Sequence, residues 1–270
     1  MAFSTEVFSD ESYGIASSTA DRINGTFINK TQESSFDIID IEDALILDEE
    51  LISIAYKPNK KTLLHYYMES YFIAEWNYLR RKSDTFFPKY ILPLLNELNI
   101  QYKNERNFTS YEEYNYHLYN LLINNCNKYI NEAFNILFEN RNLMKNFNIL
   151  VSELILKIEQ QQYPKYLSDD GRIKRYPRWN KWLKDALFYR EKGCCAHCGC
   201  DLSGTVAIRN QINIVHIVPL TRGGTNDPTN LQILCSTCNK KNIILVQKLE
   251  ITNIYFGRGL TKPWKMNNIS

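Results

Sequence analysis

The sequence predicts an α+β protein in which a mainly helical N-terminal part is followed by a small ββα unit held together by cysteines. Three observations support this fold class. Apolar side chains recur at helical spacing through the middle of the chain, the composition becomes basic near residue 165, and two C-x-x-C pairs flank a β-branched, strand-like segment. The helical spacing indicates a domain of packed helices, and the other two features indicate a separate C-terminal domain.

The helical part rests on three amphipathic segments. Aromatic and aliphatic side chains share one face from Leu63 to Lys82, and similar spacing predicts one long helix or two between Tyr111 and about Leu143. A further helix is expected from Asn148 to Gln162. Residues 36–56 fit a short strand followed by a helix. Residues 1–35 are rich in Ser, Thr, Asp and Asn, which predicts a loop or a loosely held arm.

Composition excludes several classes of protein. With 270 residues and 44% hydrophobic side chains, the chain can form one large domain or two small ones, so we do not expect wholesale disorder. No apolar run approaches the roughly 18–20 residues that span a bilayer, which predicts no membrane partner. The first residues lack a secretory leader, so we expect a cytoplasmic location where thiols stay reduced and clustered cysteines bind metal.

The net charge of +2 conceals a gradient along the chain. Residues 1–60 carry 4 basic and 12 acidic side chains, whereas residues 161–270 carry 17 basic and 7 acidic ones. A basic C-terminal part suits a polyanionic partner, although basic residues also occur simply as a solvated surface.

Basic and aromatic residues alternate just after residue 171. Such a mixture suits phosphate contacts combined with base stacking. The alternative is an amphipathic helix whose Trp179 and Trp182 face the core, and both interpretations can hold on opposite faces. The basic residues that we expect to contact nucleic acid in this segment are Arg172, Lys174, Arg175 and Arg178.

The cysteines predict a structural metal site. Cys195 and Cys198 form one C-x-x-C pair, and Cys235 and Cys238 form a second pair 37 residues after the first. Two such pairs complete the closed tetrahedral geometry of structural zinc. Cys194 and Cys200 are interpreted as neighbours rather than ligands, although Cys194 or His197 could replace a ligand. A thioredoxin-like redox pair is the alternative, but it does not explain two pairs.

The segment between the pairs predicts a hairpin and a helix. Asn213 to Pro219 is β-branched and strand-like, Gly223-Gly224 and Asp227-Pro228 mark a loop, and Leu231 to Cys235 fits a second strand. Ser236 then provides an N-cap for a helix that we expect to run toward Glu250.

This pattern resembles the HNH endonuclease family in its zinc-ribbon, ββα-metal form, over about residues 172–245. His216, Asn230 and Asn239 stand 14 and 9 residues apart, in order with both cysteine pairs. The resemblance implies that His216 is the general base, that Asn239 binds a catalytic Mg²⁺ or Mn²⁺, and that Asn230 braces the loop that positions His216. It also makes Arg222, Lys240 and Lys241 candidate phosphate contacts.

One position departs from the family. Most members have Asp immediately before the catalytic histidine, where it helps to bind the metal, and this chain has Val215. Asn239 and water could hold the ion with help from Asp227 or a backbone oxygen, because amide and carboxylate oxygens suit hard cations. Otherwise the site is weakened or inactive.

These predictions divide the chain into an acidic N-terminal segment (1–62), a helical domain (63–165) and an HNH nuclease domain (166–270). The resemblance implies a metal-dependent endonuclease that hydrolyses DNA phosphodiester bonds, with bacterial restriction or phage defence as the expected setting. A zinc-containing DNA-binding module with weak or no catalysis and an RNA-directed nuclease effector remain alternatives. The helical domain would recognise the target or contact a partner subunit, and a homodimer is compatible with cutting two strands.

Overall fold

The computed structural model describes residues 8–28, 39–82, 85–204 and 212–241. Within these ranges the N-terminal part is helical, and a two-stranded sheet followed by a helical turn lies near the C-terminus beside the cysteines. This confirms the predicted α+β class. The expected continuation of the last helix toward Glu250 lies outside the described residues.

The helices and strands are labelled in chain order. The helices are α1 (Asp10–Ile28), α2 (Ile41–Ala44), α3 (Glu49–Tyr56), α4 (Leu63–Lys82), α5 (Phe87–Glu97), α6 (Tyr111–Asn125), α7 (Asn127–Phe138), α8 (Arg141–Ile155) and α9 (Lys181–Arg190). The strands are β1 (Asn213–His216) and β2 (Leu231–Leu234). Residues 236–241 are also helical and are called the C-terminal helical turn.

Side-chain caps define where several helices begin. Asp48 accepts the backbone N–H of Leu51 at the start of α3, and Ser110 accepts that of Glu113 at the start of α6. Asn140 accepts the N–H of Leu143 and starts α8 seven residues earlier than the hydrophobic pattern alone predicts. Each cap supplies an acceptor to a backbone N–H that has no partner within its own helix.

One sequence-based expectation for the N-terminal residues is wrong, and a second is confirmed in part. Residues 10–28 form helix α1 rather than a loose arm, and its Ile15 and Ile23 are buried. In residues 36–56, α3 confirms the expected helix, residues 41–44 are helical as well, and residues 36–38 lie outside the described residues. The polar composition of α1 does not indicate a buried helix, because its Ser12 hydroxyl donates to the Glu132 carboxylate on α7 at 2.7 Å instead of facing solvent.

A large apolar core joins the helices of the N-terminal part. It contains buried side chains from α1 through α8, and α1 packs against both α7 and α8. The core continues into the segment after α8, where Tyr166, Leu167 and Ile173 are buried. A separate small cluster joins α9 to the sheet and the cysteines, with Leu183, Leu187, Leu231 and Ile233 at its centre.

The two strands form an antiparallel hairpin with a long loop. Asn213 pairs with Leu234 and His216 pairs with Leu231, so His216 lies where β1 ends and the loop of residues 217–230 begins. The C-terminal helical turn follows β2 directly. The described residues thus have the ββα order that the sequence predicts.

Buried polar contacts join the loop of residues 217–230 to the helical part. The Asp227 carboxylate accepts the N–H of Leu63, the first residue of α4, at 2.9 Å, and the Asn148 amide on α8 donates to Thr229 Oγ1 at 3.1 Å. Gly223 has φ of +81°, and a Cβ there would meet the Ser152 carbonyl at 2.6 Å. The loop therefore lies directly against the helices, and this contact requires glycine at position 223.

An ion-pair network with two buried members, Arg190 and Glu191, forms a second connection. Arg190 at the end of α9 donates to Glu191, whose other oxygen lies 3.2 Å from Arg141 at the start of α8. Arg190 also donates to the Leu231 carbonyl of β2. These charges link α8, α9 and the sheet, and the pairing with Glu191 recovers part of the cost of burying Arg190, whose pKa is still lowered by that burial.

Among the helices that the structure describes, none is both long and apolar enough to cross a membrane.

Candidate active site and cysteine cluster

Four thiols converge beside the sheet. The sulfur atoms of Cys195, Cys198, Cys200 and Cys235 all lie within 4.8 Å of one another. Backbone N–H groups point at two of the cysteine sulfurs, since Cys235 N lies 3.3 Å from Cys195 Sγ and Cys238 N lies 3.4 Å from Cys235 Sγ. Such donors stabilise thiolates, which are the species that bind soft metals. The cluster is therefore a donor set that could hold zinc.

The pKa values in the cluster differ between its members, because the contact with the Cys198 thiol raises the pKa of Cys200 to about 12 while the pKa values of two other members are lowered. Burial raises the pKa of Cys195, but backbone donors from Cys198, Cys235 and His197 outweigh it and lower the pKa to about 6. The backbone N–H of Cys238 is the main cause that lowers the pKa of Cys235, against the opposing effect of burial.

The group of four differs from the predicted ligand set at one position. Cys200 belongs to it although the sequence interpretation treats it as a neighbour, whereas Cys238 is buried beside Cys235 but does not belong to the group. Gly199, with φ of +70°, turns the chain back so that Cys195 N donates to the Cys200 carbonyl at 2.8 Å. That turn brings the sulfur of residue 200 to the cluster, which C-x-x-C spacing does not indicate.

Two other possible substitutes lie outside the group. The thiol of Cys194 approaches the Lys192 carbonyl at 3.5 Å, and His197 is exposed.

His216 is buried at the end of β1, with 8% of its surface exposed. Its Nε2 lies 3.0 Å from Asn226 Oδ1, and the ring of Trp179 meets it edge-on with 6.0 Å between centroids. Burial lowers the pKa of His216, the bond to Asn226 raises it, and the positive charge of Arg175 lowers it again, to about 4. The imidazole is therefore neutral near pH 7, as a general base must be.

Asn230 is fully buried and connects both ends of the loop. Its Oδ1 accepts the N–H of Val218 at 2.8 Å, and its Nδ2 donates to the carbonyls of Val218 at 3.0 Å and Thr225 at 2.8 Å. These bonds hold the residues that immediately follow His216 against the far end of the loop. The arrangement is of the kind that the resemblance implies for this residue.

Asn239 lies in the C-terminal helical turn, half-buried, with its N–H bonded to the Cys235 carbonyl at 2.9 Å. Lys240 and Lys241 follow it and are exposed. The cysteine cluster thus fixes the start of the helical segment that carries Asn239.

Val215 and Asp227, the two side chains that bear on binding of a hard cation, each make other contacts. Val215 lies in β1 and packs against the small core beside the cysteines. Both Asp227 oxygens are occupied within the buried contact with the helical part, because Oδ2 accepts from Leu63 and Oδ1 from Thr229. The suggestion that Asp227 helps to bind a metal ion is therefore wrong. The reason is that its carboxylate serves the junction between the loop and α4.

The predicted nucleic-acid contacts fall into two groups. Arg172 donates to the Thr221 carbonyl at 3.2 Å and Lys174 to the Pro164 carbonyl at 2.8 Å, so both also brace the chain. Arg175 and Arg178 are exposed and form no ion pair among the residues that the structure describes. Arg222 is half-buried in the 3₁₀ turn Leu220–Arg222.

The aromatic residues of the basic segment serve the interior. Trp179 and Trp182 are partly buried against the small core, while the neighbouring basic side chains are exposed. The amphipathic interpretation and the nucleic-acid interpretation are therefore compatible in geometry.

No sequence motif marks Asn226, a fully buried residue in direct contact with His216. Its only local signal is its place in the loop, before Asp227-Pro228. Its partners lie at residues 55, 56, 174, 176 and 216, so no short-range pattern marks it.

Comparison with known proteins supports the resemblance for part of the chain. Residues 195–242 match the family model described as HNH endonuclease, which confirms the suspected similarity for the segment that contains the cysteines, His216, Asn230 and Asn239. A search among curated proteins and a search among solved structures each found no match.

Proposed function

We propose that this protein is a metal-dependent endonuclease that hydrolyses DNA phosphodiester bonds. The observation that carries the proposal is the neutral, buried His216 at the end of β1, which experiences the positive charge of Arg175 and lies in the segment that matches the HNH family model. A neutral histidine can take a proton from the attacking water, and an arginine nearby attracts the phosphate. Restriction or phage defence is the setting that we propose for this activity.

The low pKa of His216 agrees with this role once substrate is present. A base with a pKa of about 4 is always available at neutral pH, but it holds an abstracted proton weakly. A phosphodiester bound near Arg175 brings a negative charge that raises the pKa of the imidazole. Substrate binding would thereby increase the basicity of His216 at the moment when it is needed.

Two metals belong to the proposal. The thiol cluster would hold structural zinc, with Cys195, Cys198 and Cys235 common to the predicted set and the observed group. A Mg²⁺ or Mn²⁺ ion, held through the Asn239 amide oxygen, would neutralise charge on the scissile phosphate. Because Val215 offers no ligand and Asp227 is occupied, water and phosphate oxygens would complete the coordination.

Val215 favours one alternative, a zinc-containing DNA-binding module without catalysis. Incubating the purified chain with plasmid and Mg²⁺ or Mn²⁺ at low salt separates the two functions. Cleavage by the wild-type chain supports the nuclease. Salt-sensitive binding without cleavage supports the DNA-binding module, and so does cleavage that occurs only after Val215→Asp. Cleavage of tRNA in preference to plasmid would instead establish an RNA-directed nuclease.

A further inference from the structure

Asn226 is held by the helical part and by the basic segment at the same time. Its backbone N–H donates to the Ala55 carbonyl at 2.8 Å, and its Nδ2 donates to the carbonyls of Tyr56 and Lys174, each at 2.8 Å. Its Oδ1 accepts the N–H of Tyr176 at 3.3 Å. Only the amide nitrogen can donate to two carbonyls, so this network fixes which end of the Asn226 side chain is the oxygen.

The orientation of Asn226 determines the tautomer of His216. The Asn226 Oδ1 is an acceptor only, and it lies 3.0 Å from His216 Nε2. A neutral imidazole bonded there must carry its proton on Nε2, which leaves the lone pair on Nδ1. Within the described part of the chain, no hydrogen bond to His216 Nδ1 occurs, so Nδ1 is the nitrogen available to take a proton.

We propose that Asn226 is a positioning residue that fixes His216 as the Nε2–H tautomer and makes this state depend on contact between the loop and the helical part. The inference deepens the proposed nuclease function and rests on it for its catalytic meaning. The acceptors that orient the amide belong to Tyr56 at the end of α3 and to Lys174. If α3 moves away from the loop, the amide loses an acceptor and the imidazole loses its fixed partner.

Aromatic packing supports the same coupling. The ring of Tyr56 packs edge-on against Tyr176 at 5.6 Å, Tyr176 lies 6.4 Å from Trp179, and Trp179 meets His216 at 6.0 Å. A continuous row of rings thus runs from the end of α3 to the imidazole. The helical part is therefore a component of the catalytic site rather than only a separate recognition domain.

The tautomer of His216 can be read directly by NMR. The 270-residue chain, labelled with ¹⁵N-histidine, contains four histidines, and His216→Ala assigns the relevant signals. The ¹⁵N chemical shifts distinguish the protonated from the unprotonated ring nitrogen. The inference predicts that wild-type His216 carries its proton on Nε2 near pH 7, and a proton on Nδ1 would overturn it. This reading requires no cleavage activity.

Asn226→Ala and Thr229→Val separate positioning from general stability. Thr229 is buried in the same loop and contacts Asp227 and Asn148, but it has no hydrogen bond to His216. We expect Asn226→Ala to lose the single tautomer and to lower kcat by about 10- to 100-fold with little change in KM. Thr229→Val should weaken folding yet keep the tautomer and the kcat of its folded fraction.

Equal kcat in folded Asn226→Ala and Thr229→Val, with the His216 tautomer the same as in wild type in both, would overturn the inference. A wild-type chain that cleaves no nucleic acid but shows Nε2–H would instead reject the proposed function and leave the Asn226–His216 bond intact. The two failures are therefore distinguishable.

Discussion

Replacing Asp227 by alanine should destabilise the helical and C-terminal parts together. Its carboxylate is fully buried and accepts three hydrogen bonds, from Leu63 N at 2.9 Å, Thr229 N at 2.9 Å and Thr229 Oγ1 at 2.6 Å. Alanine removes the acceptor of the Leu63 N–H in the first turn of α4. It also removes the acceptor of the Thr229 N–H inside the loop.

The size of the effect follows from these contacts. Hydrogen bonds to a charged group contribute about 1.5–3 kcal/mol each, and burying an unpaired donor costs about 1–3 kcal/mol. Against this, removing the carboxylate removes its own desolvation cost, which is the largest cause that raises the pKa of Asp227. We therefore expect a net loss of about 3 kcal/mol in the free energy of unfolding, equivalent to roughly 6–12 °C in Tm.

Urea unfolding at pH 7 measures this loss. Far-UV circular dichroism follows the helices, and tryptophan fluorescence includes Trp76 in α4 and Trp179 beside His216. Both signals should shift together in Asp227→Ala, because the residue joins the two parts. Asp201→Ala is the matched control, since among the described residues that exposed carboxylate bonds to nearby Ser203 alone, and we expect a change within about 0.5 kcal/mol. If Asp227→Ala stays within that margin, the argument for a shared folding unit is wrong.

Three further predictions test other parts of the account. Elemental analysis should find about one zinc per chain, which Cys198→Ala loses and Cys194→Ser retains. The single variants Cys200→Ser and Cys238→Ser then identify the fourth ligand. Zinc retained in Cys198→Ala would contradict the assignment of Cys198 as a ligand. Burial lowers the pKa of both His65 and His216 to about 4, so stability should fall as pH drops from 6.5 toward 4, on the order of 2 kcal/mol per histidine by pH 5. Denaturation curves at pH 7 and pH 5 should show a smaller difference in the free energy of unfolding for His65→Phe than for wild type. An unchanged difference would refute the contribution of His65. Arg178→Gln should lower by about 1 the slope of the logarithm of the DNA-binding constant against the logarithm of the salt concentration. Lys128 is paired with Glu97 at 3.2 Å, so Lys128→Gln should leave this slope unchanged. Equal slopes in wild type and both variants would exclude Arg178 as a phosphate contact.

The amphipathic helices and the ββα order are predictable because their signals are local. Apolar spacing identifies α4 and α8, and paired cysteines frame the hairpin. Helix α1 escapes prediction because its polar side chains bond to other helices, as Asn24 does with Asn146 at 3.0 Å. A polar helix that is satisfied by distant partners has the same composition as a loop.

The junction between the loop and the helices escapes prediction for the same reason. Thr225, Asn226, Asp227 and Thr229 have the composition of an exposed turn, yet all are buried. Their partners lie as far as 170 residues away, so the burial is visible only in three dimensions. The position of Cys200 likewise depends on the positive φ of Gly199, which no spacing rule contains.

The most direct test of the central claim is the single-turnover rate of plasmid cleavage by wild type and His216→Ala, at saturating enzyme and low salt with Mg²⁺ or Mn²⁺. His197→Ala is the matched control, since His197 is exposed and lies outside the group of four thiols. We predict that wild type and His197→Ala cut at similar rates and that His216→Ala is slower by about 100-fold or more. Equal cleavage by wild type and His216→Ala, or intact plasmid with all three proteins, would contradict it.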